Sequence, residues 1–370
     1  MLFDPYPKTR VEDLFDRERE FDILRKSLEL GERFIVVYGI RRIGKTSFIH
    51  TALKKLCYPH VIVDVREIYS VYNRISKHHV YRKIADYFTD NMEFFERIGF
   101  KMRELIGRIK GFKIMGAGIE IEPTRLTDLT ELFKAFNRWA IHHNTRFVIA
   151  FDEAQYLRFS GAIRYDMLFS WAIDNLEAIT VIVTGSEVGV LRDFLKIDDP
   201  NAPLYGRYRC EIKLEKFSFR QSIEFLEEGF KQLNVRVDED ELREVVEKLD
   251  AIPGWLTLYG YYRGVKNIGH REALEKVFTE GSKMVLNELN KIIEHSRDRY
   301  LAILEAIVRG ATTWSQIKTY VMYRTGEITD KRFTDLLRNL IRYGIVEKTT
   351  KGYRVIDPLV EYVIRKLITT

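Results

Sequence analysis

An apolar run from Phe34 to Tyr38 ends abruptly in "GIRRIGKTS", a loop with two glycines and three cationic side chains. The spacing is Gly39, four residues, Gly44, Lys45 and Thr46, with Ser47 next. Glycines so placed let successive backbone N–H groups turn inward as an anion nest. A helix beginning near Lys45 adds the partial positive charge of its N-terminus. A lysine at that position reaches β- and γ-phosphates, and a threonine hydroxyl binds Mg²⁺. The implied chemistry is polyphosphate binding by Gly39, Ile40, Arg41, Arg42, Ile43, Gly44, Lys45, Thr46 and Ser47. ATP or ADP and Mg²⁺ are the expected cofactors. The spacing does not prescribe Arg41 and Arg42; they either add charge to the phosphate pocket or lie on the loop's outer face.

A phosphate loop needs an acid at the end of a neighbouring buried strand. "FVIAFDEAQ" supplies Asp152 after five apolar residues, with Glu153 directly behind it. Asp152 is expected to hold the metal through water, together with Thr46. Glu153 is expected to act as general base toward an attacking water. The next apolar strand ends in "VTGSEVG", which puts Thr184 or Ser186 beside the γ-phosphate as a polar sensor. "PLYGRYR" offers Arg207, which would stabilise a transferring phosphoryl group across the cleft or in a neighbouring subunit of a homo-oligomer.

These residues need an alternating framework. Strands are predicted at 33–38, 60–65, 146–151, 179–184 and 208–214, separated by helical periodicity. Solid apolar runs suit strands buried on both faces of a parallel sheet. The section 66–140 reads as mainly helical, with one glycine-broken strand or hairpin in "IKGFKIMGAGIEIEP". Beyond Phe217 the strands stop. Ser218 is a predicted N-cap, and helices follow to about His295, interrupted at "AIPGW". The last part reads helix, helix, helix, then two short strands around "TTKG", the winged-helix pattern.

The chain has 370 residues, enough for two or three domains. Its 46% apolar and 31% charged residues exclude disorder. No apolar run approaches the ~20 residues that cross a bilayer, and "MLFDPYPKTR" lacks a secretory apolar region. The expectation is a cytoplasmic protein with no membrane partner. Cys57 and Cys210 are far apart and outside any metal spacing, so both are expected as buried thiols. The net charge is +6, and about +5 of it falls from Asp298 onward. That placement makes the winged helix either a DNA-phosphate contact or a protein-docking module with a solvated basic face.

Taken together, the motifs resemble the archaeal AAA+-like P-loop ATPases of the STAND class, over essentially the whole chain. "LFDREREFDIL" is similar to that family's element before the first helix, "GIRRIGKTS" to its P-loop and "FDEAQYL" to its second acidic motif. "TGS" resembles its sensor, "PLYGR" its arginine motif, and "AIPGWL" its lid element. One departure is Ala251, where the family usually carries glycine; glycine follows here as Gly254. The resemblance implies an α/β fold: a five-stranded parallel sheet ordered 5-1-4-3-2, a helical lid and a C-terminal winged helix. The expected division is 1–216 for the ATPase core, 217–297 for the lid and 298–370 for the winged helix. It also implies that Arg17 lies near the adenine and that Pro253 packs by the nucleotide. The expected function is ATP binding with slow hydrolysis, as a nucleotide-dependent switch. The alternative is an ATP-dependent DNA-binding protein related to replication-origin initiators; a nuclease-coupled ATPase would need an acidic cluster that the sequence lacks.

Overall fold

The structure, a computed structural model, describes residues 1–115 and 118–369. Its centre is a five-stranded, all-parallel sheet. In chain order the strands are β1 (Phe34–Tyr38), β2 (His60–Asp64), β3 (Phe112–Met115), β4 (Gly118–Ile121), β5 (Phe147–Asp152), β6 (Ile179–Gly185) and β7 (Cys210–Lys213). Strands β3 and β4 form a separate antiparallel hairpin, with its tip, 116–117, outside the described residues. The sheet order is β2-β5-β6-β1-β7. Numbered over its own five strands and read from the β7 edge, this is 5-1-4-3-2; the labels shift only because the hairpin intervenes. Every residue of β5 and β6 is buried, which explains their unbroken apolar runs.

Because the strands are parallel, their C-terminal ends gather on one edge. Tyr38 lies beside Gly185, and Asp64 beside Asp152. The phosphate loop, both acids and the sensor strand therefore leave the sheet together.

Buried apolar residues fall into two clusters. One surrounds the sheet, from Leu24 to Leu214. The other begins with Leu2 and Phe3, resumes at Phe217, and runs through the remaining helices to Ile364. Those helices start at Phe219–Gln232, where Ser218 forms the expected cap as half of a reciprocal capping box with Gln221. Glu239–Leu249, Pro253–Gly260 and the long His270–Ile293 follow. The C-terminal unit comprises Arg297–Val308, Trp314–Thr325, Asp330–Arg342 and the antiparallel pair β8 (Val346–Thr349) and β9 (Gly352–Val355). Phe333, Leu336, Leu337 and Leu340 line the buried stripe of its third helix.

Two features depart from the sequence reading. A last helix, Pro358–Thr369, follows the hairpin and packs on His270–Ile293, with the Phe278 and Tyr362 rings 4.8 Å apart. The cysteines are not buried: Cys57 is exposed where its helix ends in a left-handed turn, and Cys210 is half-buried at the start of edge strand β7. Among the described residues, no helix is long and apolar enough to cross a membrane.

Candidate nucleotide-binding site

The loop after β1 adopts the conformation its glycines permit. Gly44 sits at φ +95, a left-handed geometry that a side chain would strain, and it opens the helix Lys45–Leu56. Lys45 is buried and donates to the carbonyls of Gly39 (3.0 Å) and Ile40 (2.9 Å). Burial pulls its pKa down, against the opposing pull of Glu153 and Asp152. Thr46 Oγ1 donates to Asp152 Oδ2 at 2.6 Å, and Thr184 Oγ1 donates to the other carboxylate oxygen. Both oxygens of the β5 acid are thus held by hydroxyls from the phosphate loop and the sensor strand. A hydroxyl and a carboxylate so close make the hard oxygen donor set that Mg²⁺ takes.

Glu153 stands just beyond β5 in a left-handed conformation, φ +54, unusual for a residue with a side chain. Its backbone N–H donates to Thr184 Oγ1 (3.0 Å). Its Oε2 accepts from Gln155 Nε2 (2.6 Å), Ser186 Oγ (2.6 Å) and Ser186 N (3.3 Å). Complete burial opposes ionisation, but Lys45, the Ser186 hydroxyl, Arg66 and Gln155 together hold the carboxyl well below its usual range. Glu153 is therefore a fixed anion facing the lysine.

The paired arginines both line the cleft and both pair with acids. Arg41 Nη2 lies 2.6 Å from Glu187 Oε1, and its Nη1 3.6 Å from Glu288 Oε1. Arg42 binds Glu288 through both terminal nitrogens, at 3.0 and 3.2 Å, and stacks 4.3 Å above the Trp255 ring. Asp357, 3.8 Å from Arg42, accepts from Trp255 Nε1 at 3.0 Å. Glu288 belongs to the long helix His270–Ile293, and Asp357 precedes the last helix. Both arginines thus line the cleft and tie the phosphate loop to the C-terminal half of the chain.

The lid element docks on the same loop. Ala251 has φ +55, a conformation that suits glycine, which accounts for the glycine expected there. Pro253 opens its helix at the first position and lines the cleft. Gly254 N donates to the Arg42 carbonyl at 2.9 Å. A Cβ at Gly254 would lie 2.7 Å from Arg42 Cβ, so only glycine permits this approach.

The cleft enclosed by these parts holds about 440 Å³, within the range of small-molecule sites. Gly44, Lys45, Thr46, Glu153, Ser186 and Arg66 line its polar end, whereas Pro5, Leu14, Phe15, Phe217, Phe225 and Leu258 make an apolar flank suited to a base. Arg17 also lines it, but its Nη2 is committed to the carbonyls of Ile43 (3.3 Å) and Glu215 (2.9 Å) and its guanidinium lies over Phe217. Sequence reasoning missed the N-terminal strap. Lys8 N donates to Ser47 Oγ (3.0 Å), while Phe3 is buried edge-on against Phe225 and Phe230. It also missed Arg66, two residues past β2.

Arg207 is not brought to the cleft. It pairs with Asp174 (2.7 Å) and precedes β7, at the N-terminal edge of the sheet. Among the described residues, Arg207 does not line the cleft.

Comparison with known proteins agrees with this geometry. Residues 14–258 match an ATPase domain predominantly from Archaea, and residues 294–356 match the MCM protein C-terminal winged helix-turn-helix domain. The Walker-type ATPase PABY2304 of Pyrococcus abyssi is similar over 99% of this chain and 100% of its own, with 35% identity and a TM-score of 0.87. The ORC2 protein of Aeropyrum pernix shares the fold at 15% identity and a TM-score of 0.61, covering 100% of this chain and 98% of its own. An uncharacterised Methanocaldococcus jannaschii protein, MJECL04, is 25% identical over 90% of this chain; the match spans 62% of that relative's length. With the phosphate loop, the held acid and the fold all in agreement, the chain belongs to the family of ATPase domains found predominantly in Archaea.

Proposed function

We propose that the protein binds ATP with Mg²⁺, hydrolyses it slowly, and uses the nucleotide state to set the position of its C-terminal half. The carrying observation is the chain Thr46–Asp152–Thr184, with Glu153 fixed beside Lys45. The residues present fit the metal: Thr46 and Asp152 would hold Mg²⁺, which would neutralise phosphate charge. The phosphate loop, residues 39–47, would bind the phosphates, with Lys45 leaving the loop carbonyls for the nucleotide oxygens. Ser186 would sense the γ-phosphate. Arg17 would hold the loop's far side, and Pro253 would close the lid over the nucleotide.

In hydrolysis a water oxygen bonds to the γ-phosphorus, the bond to the bridging oxygen breaks, ADP leaves, and the water proton passes to Glu153. All three donors to the Glu153 carboxylate go to Oε2, so its Oε1 would take the attacking water. A base held this far into its ionised form takes protons weakly, consistent with low turnover. Coupling to the rest of the chain would run through Arg41 and Arg42, since Glu288 and Asp357 meet them at the phosphate loop. The division 1–216, 217–297 and 298–370 is proposed as core, lid and winged helix. Arg207 is reserved for a neighbouring subunit.

Single-turnover hydrolysis tests this reading. Glu153→Gln keeps ATP binding and loses turnover by ~10²-fold or more, and Lys45→Ala loses binding in calorimetry while remaining folded. Wild-type turnover in the first variant would remove Glu153 from the mechanism; unchanged affinity in the second would sink the phosphate-loop assignment.

The winged helix supports a second reading, contact with DNA. Lys331, Lys348 and Lys351 are exposed, and among the described residues they form no ion pair. Against it, Arg342 at the end of the third helix is spent on Asp193 of the core, and Arg354 pairs with Glu347.

A further inference from the structure

Six cationic residues line the cleft: Lys8, Arg17, Arg41, Arg42, Lys45 and Arg66. Five are already engaged. Lys8 binds the carbonyls of Leu2 and Asp4, and Arg17 those of Ile43 and Glu215. Lys45 holds loop carbonyls, Arg41 holds Glu187, and Arg42 holds Glu288. Among the described residues, Arg66 alone of the six has a guanidinium with no hydrogen bond, ion pair or ring contact.

Its position follows from the sheet. Strand β2 lies next to β5, and Asp64 is in register with Asp152. Asp64 then caps the helix Val65–Tyr72 by accepting from Glu67 N at 2.8 Å. Arg66 thus stands two residues beyond the β2 end, alongside Glu153 one residue beyond the β5 end. It lines the same cleft as Lys45, Thr46, Glu153 and Ser186. Glu153 marks the side of the cleft where water would attack, so a cation here faces the terminal phosphate rather than the base. Arg207, on the opposite edge of the sheet, leaves that role open within the chain.

We propose that Arg66 is a catalytic residue of this chain, a guanidinium supplied in cis to the γ-phosphoryl group of ATP. The assignment rests on the ATPase reading above and deepens it. With nucleotide present, the guanidinium bonds the γ-phosphate oxygens and stabilises the charge that grows as the bridging bond breaks. It makes no contact with ADP, which lacks that group. Arg66 consequently distinguishes triphosphate from diphosphate.

The test measures three quantities in wild type, Arg66→Ala and Arg66→Lys: single-turnover ATP hydrolysis at saturating nucleotide, and affinities for ATPγS and for ADP, each with Mg²⁺. Arg66 is exposed on the surface, so both variants should fold. For Arg66→Ala the expectation is a ~10²-fold loss of turnover, a roughly tenfold loss of ATPγS affinity, and ADP affinity within about twofold of wild type. Arg66→Lys restores part of the ATPγS affinity, because it keeps the charge, and little of the turnover, because it lacks the planar fork. Equal losses for ATPγS and ADP would overturn the proposal in favour of a general field effect, as would unchanged ATPγS affinity. Lys45→Ala separates the two levels of argument. Loss of ADP binding there, with retention in Arg66→Ala, leaves the nucleotide site standing whatever Arg66 does; ADP binding that survives Lys45→Ala refutes the site itself.

Discussion

Gly254→Ala tests whether the lid contact holds the phosphate loop. Three effects compete. Replacing glycine by alanine inside a helix favours folding by about 1 kcal/mol. The new Cβ would lie 2.7 Å from Arg42 Cβ and 3.0 Å from Arg42 O, where carbon atoms prefer about 3.5–4.0 Å. The atoms it meets are the Cβ and carbonyl oxygen of Arg42, which the phosphate-loop backbone holds in place. The helix Pro253–Gly260 must therefore back away, overpacking that costs about 1–3 kcal/mol. Retreat also breaks the 2.9 Å bond from Gly254 N to the Arg42 carbonyl, worth about 1 kcal/mol. The sum disfavours the docked lid by about 1–3 kcal/mol. Since the lid supplies Pro253, Thr257 and Leu258 to the cleft, ADP affinity should fall roughly 5- to 150-fold. Gly107→Ala is the control: its Cβ meets nothing within 4 Å, so it gains only propensity and leaves affinity alone. Calorimetric titration of ADP into both variants decides it. If Gly254→Ala binds ADP within twofold of wild type, the close approach to Arg42 does not organise the site.

Two further perturbations probe other parts of the molecule. His60 is fully buried at the start of β2, against the rings of Tyr87 and Phe94, and burial pushes its pKa down to about 4. The unfolded chain therefore takes up this proton near pH 6.5 and the folded chain only near 4, so stability is full above 6.5 and is lost as pH falls toward 4, by about 3 kcal/mol; His60→Phe should flatten that part of a denaturant-melt series, and an unchanged pH profile would refute it. For the winged helix, Arg338→Ala with Lys351→Ala should lower the salt slope of log K for duplex DNA by about 2 and leave ATP affinity unchanged, whereas a wild type that binds no DNA at low salt makes the domain a docking module.

The sheet was legible because parallel strands buried on both faces leave solid apolar runs, and because the phosphate loop and its acid must share one sheet edge. The same rule says which of Arg207 and Arg66 starts nearer the cleft. A residue before a parallel strand lies on the edge away from the site, which is where Arg207 stands; a residue just after one lies beside it, as Arg66 does after "HVIVDV". What stayed hidden is tertiary. The partners of Arg41 and Arg42 lie 146 and 246 residues away, at Glu187 and Glu288, and no local pattern joins them. The last helix was missed although the apolar spacing of "DPLVEYVIRKLIT" and the proline at its start mark one. The N-terminal strap is held by scattered contacts of Phe3 and Lys8 that carry no periodicity.

The distribution of apolar surface constrains how nucleotide could move this chain. The lid helices, the winged helix and the last helix share one buried cluster, so separating them would expose apolar area at about 25 cal/mol per Å². Their junction with the phosphate loop and the helix after the sensor strand carries several ion pairs, with Ile40 as an apolar contact: Arg41 and Arg42 on Glu288, Arg42 near Asp357, and Arg342 on Asp193. Partly exposed ion pairs exchange partners at little net cost, because water and phosphate oxygens replace what is lost. On the proposed function, a γ-phosphate entering beside Arg41 and Arg42 would compete with Glu288 for the same guanidiniums. The softest motion is thus a shift of the whole C-terminal half, lid and winged helix together, against the sheet. A reporter pair placed across the lid and winged helix should stay constant between ATP and ADP states, while one placed across the core and the helix His270–Ile293 should change. The reverse pattern would mean that the shared apolar cluster does not act as one body.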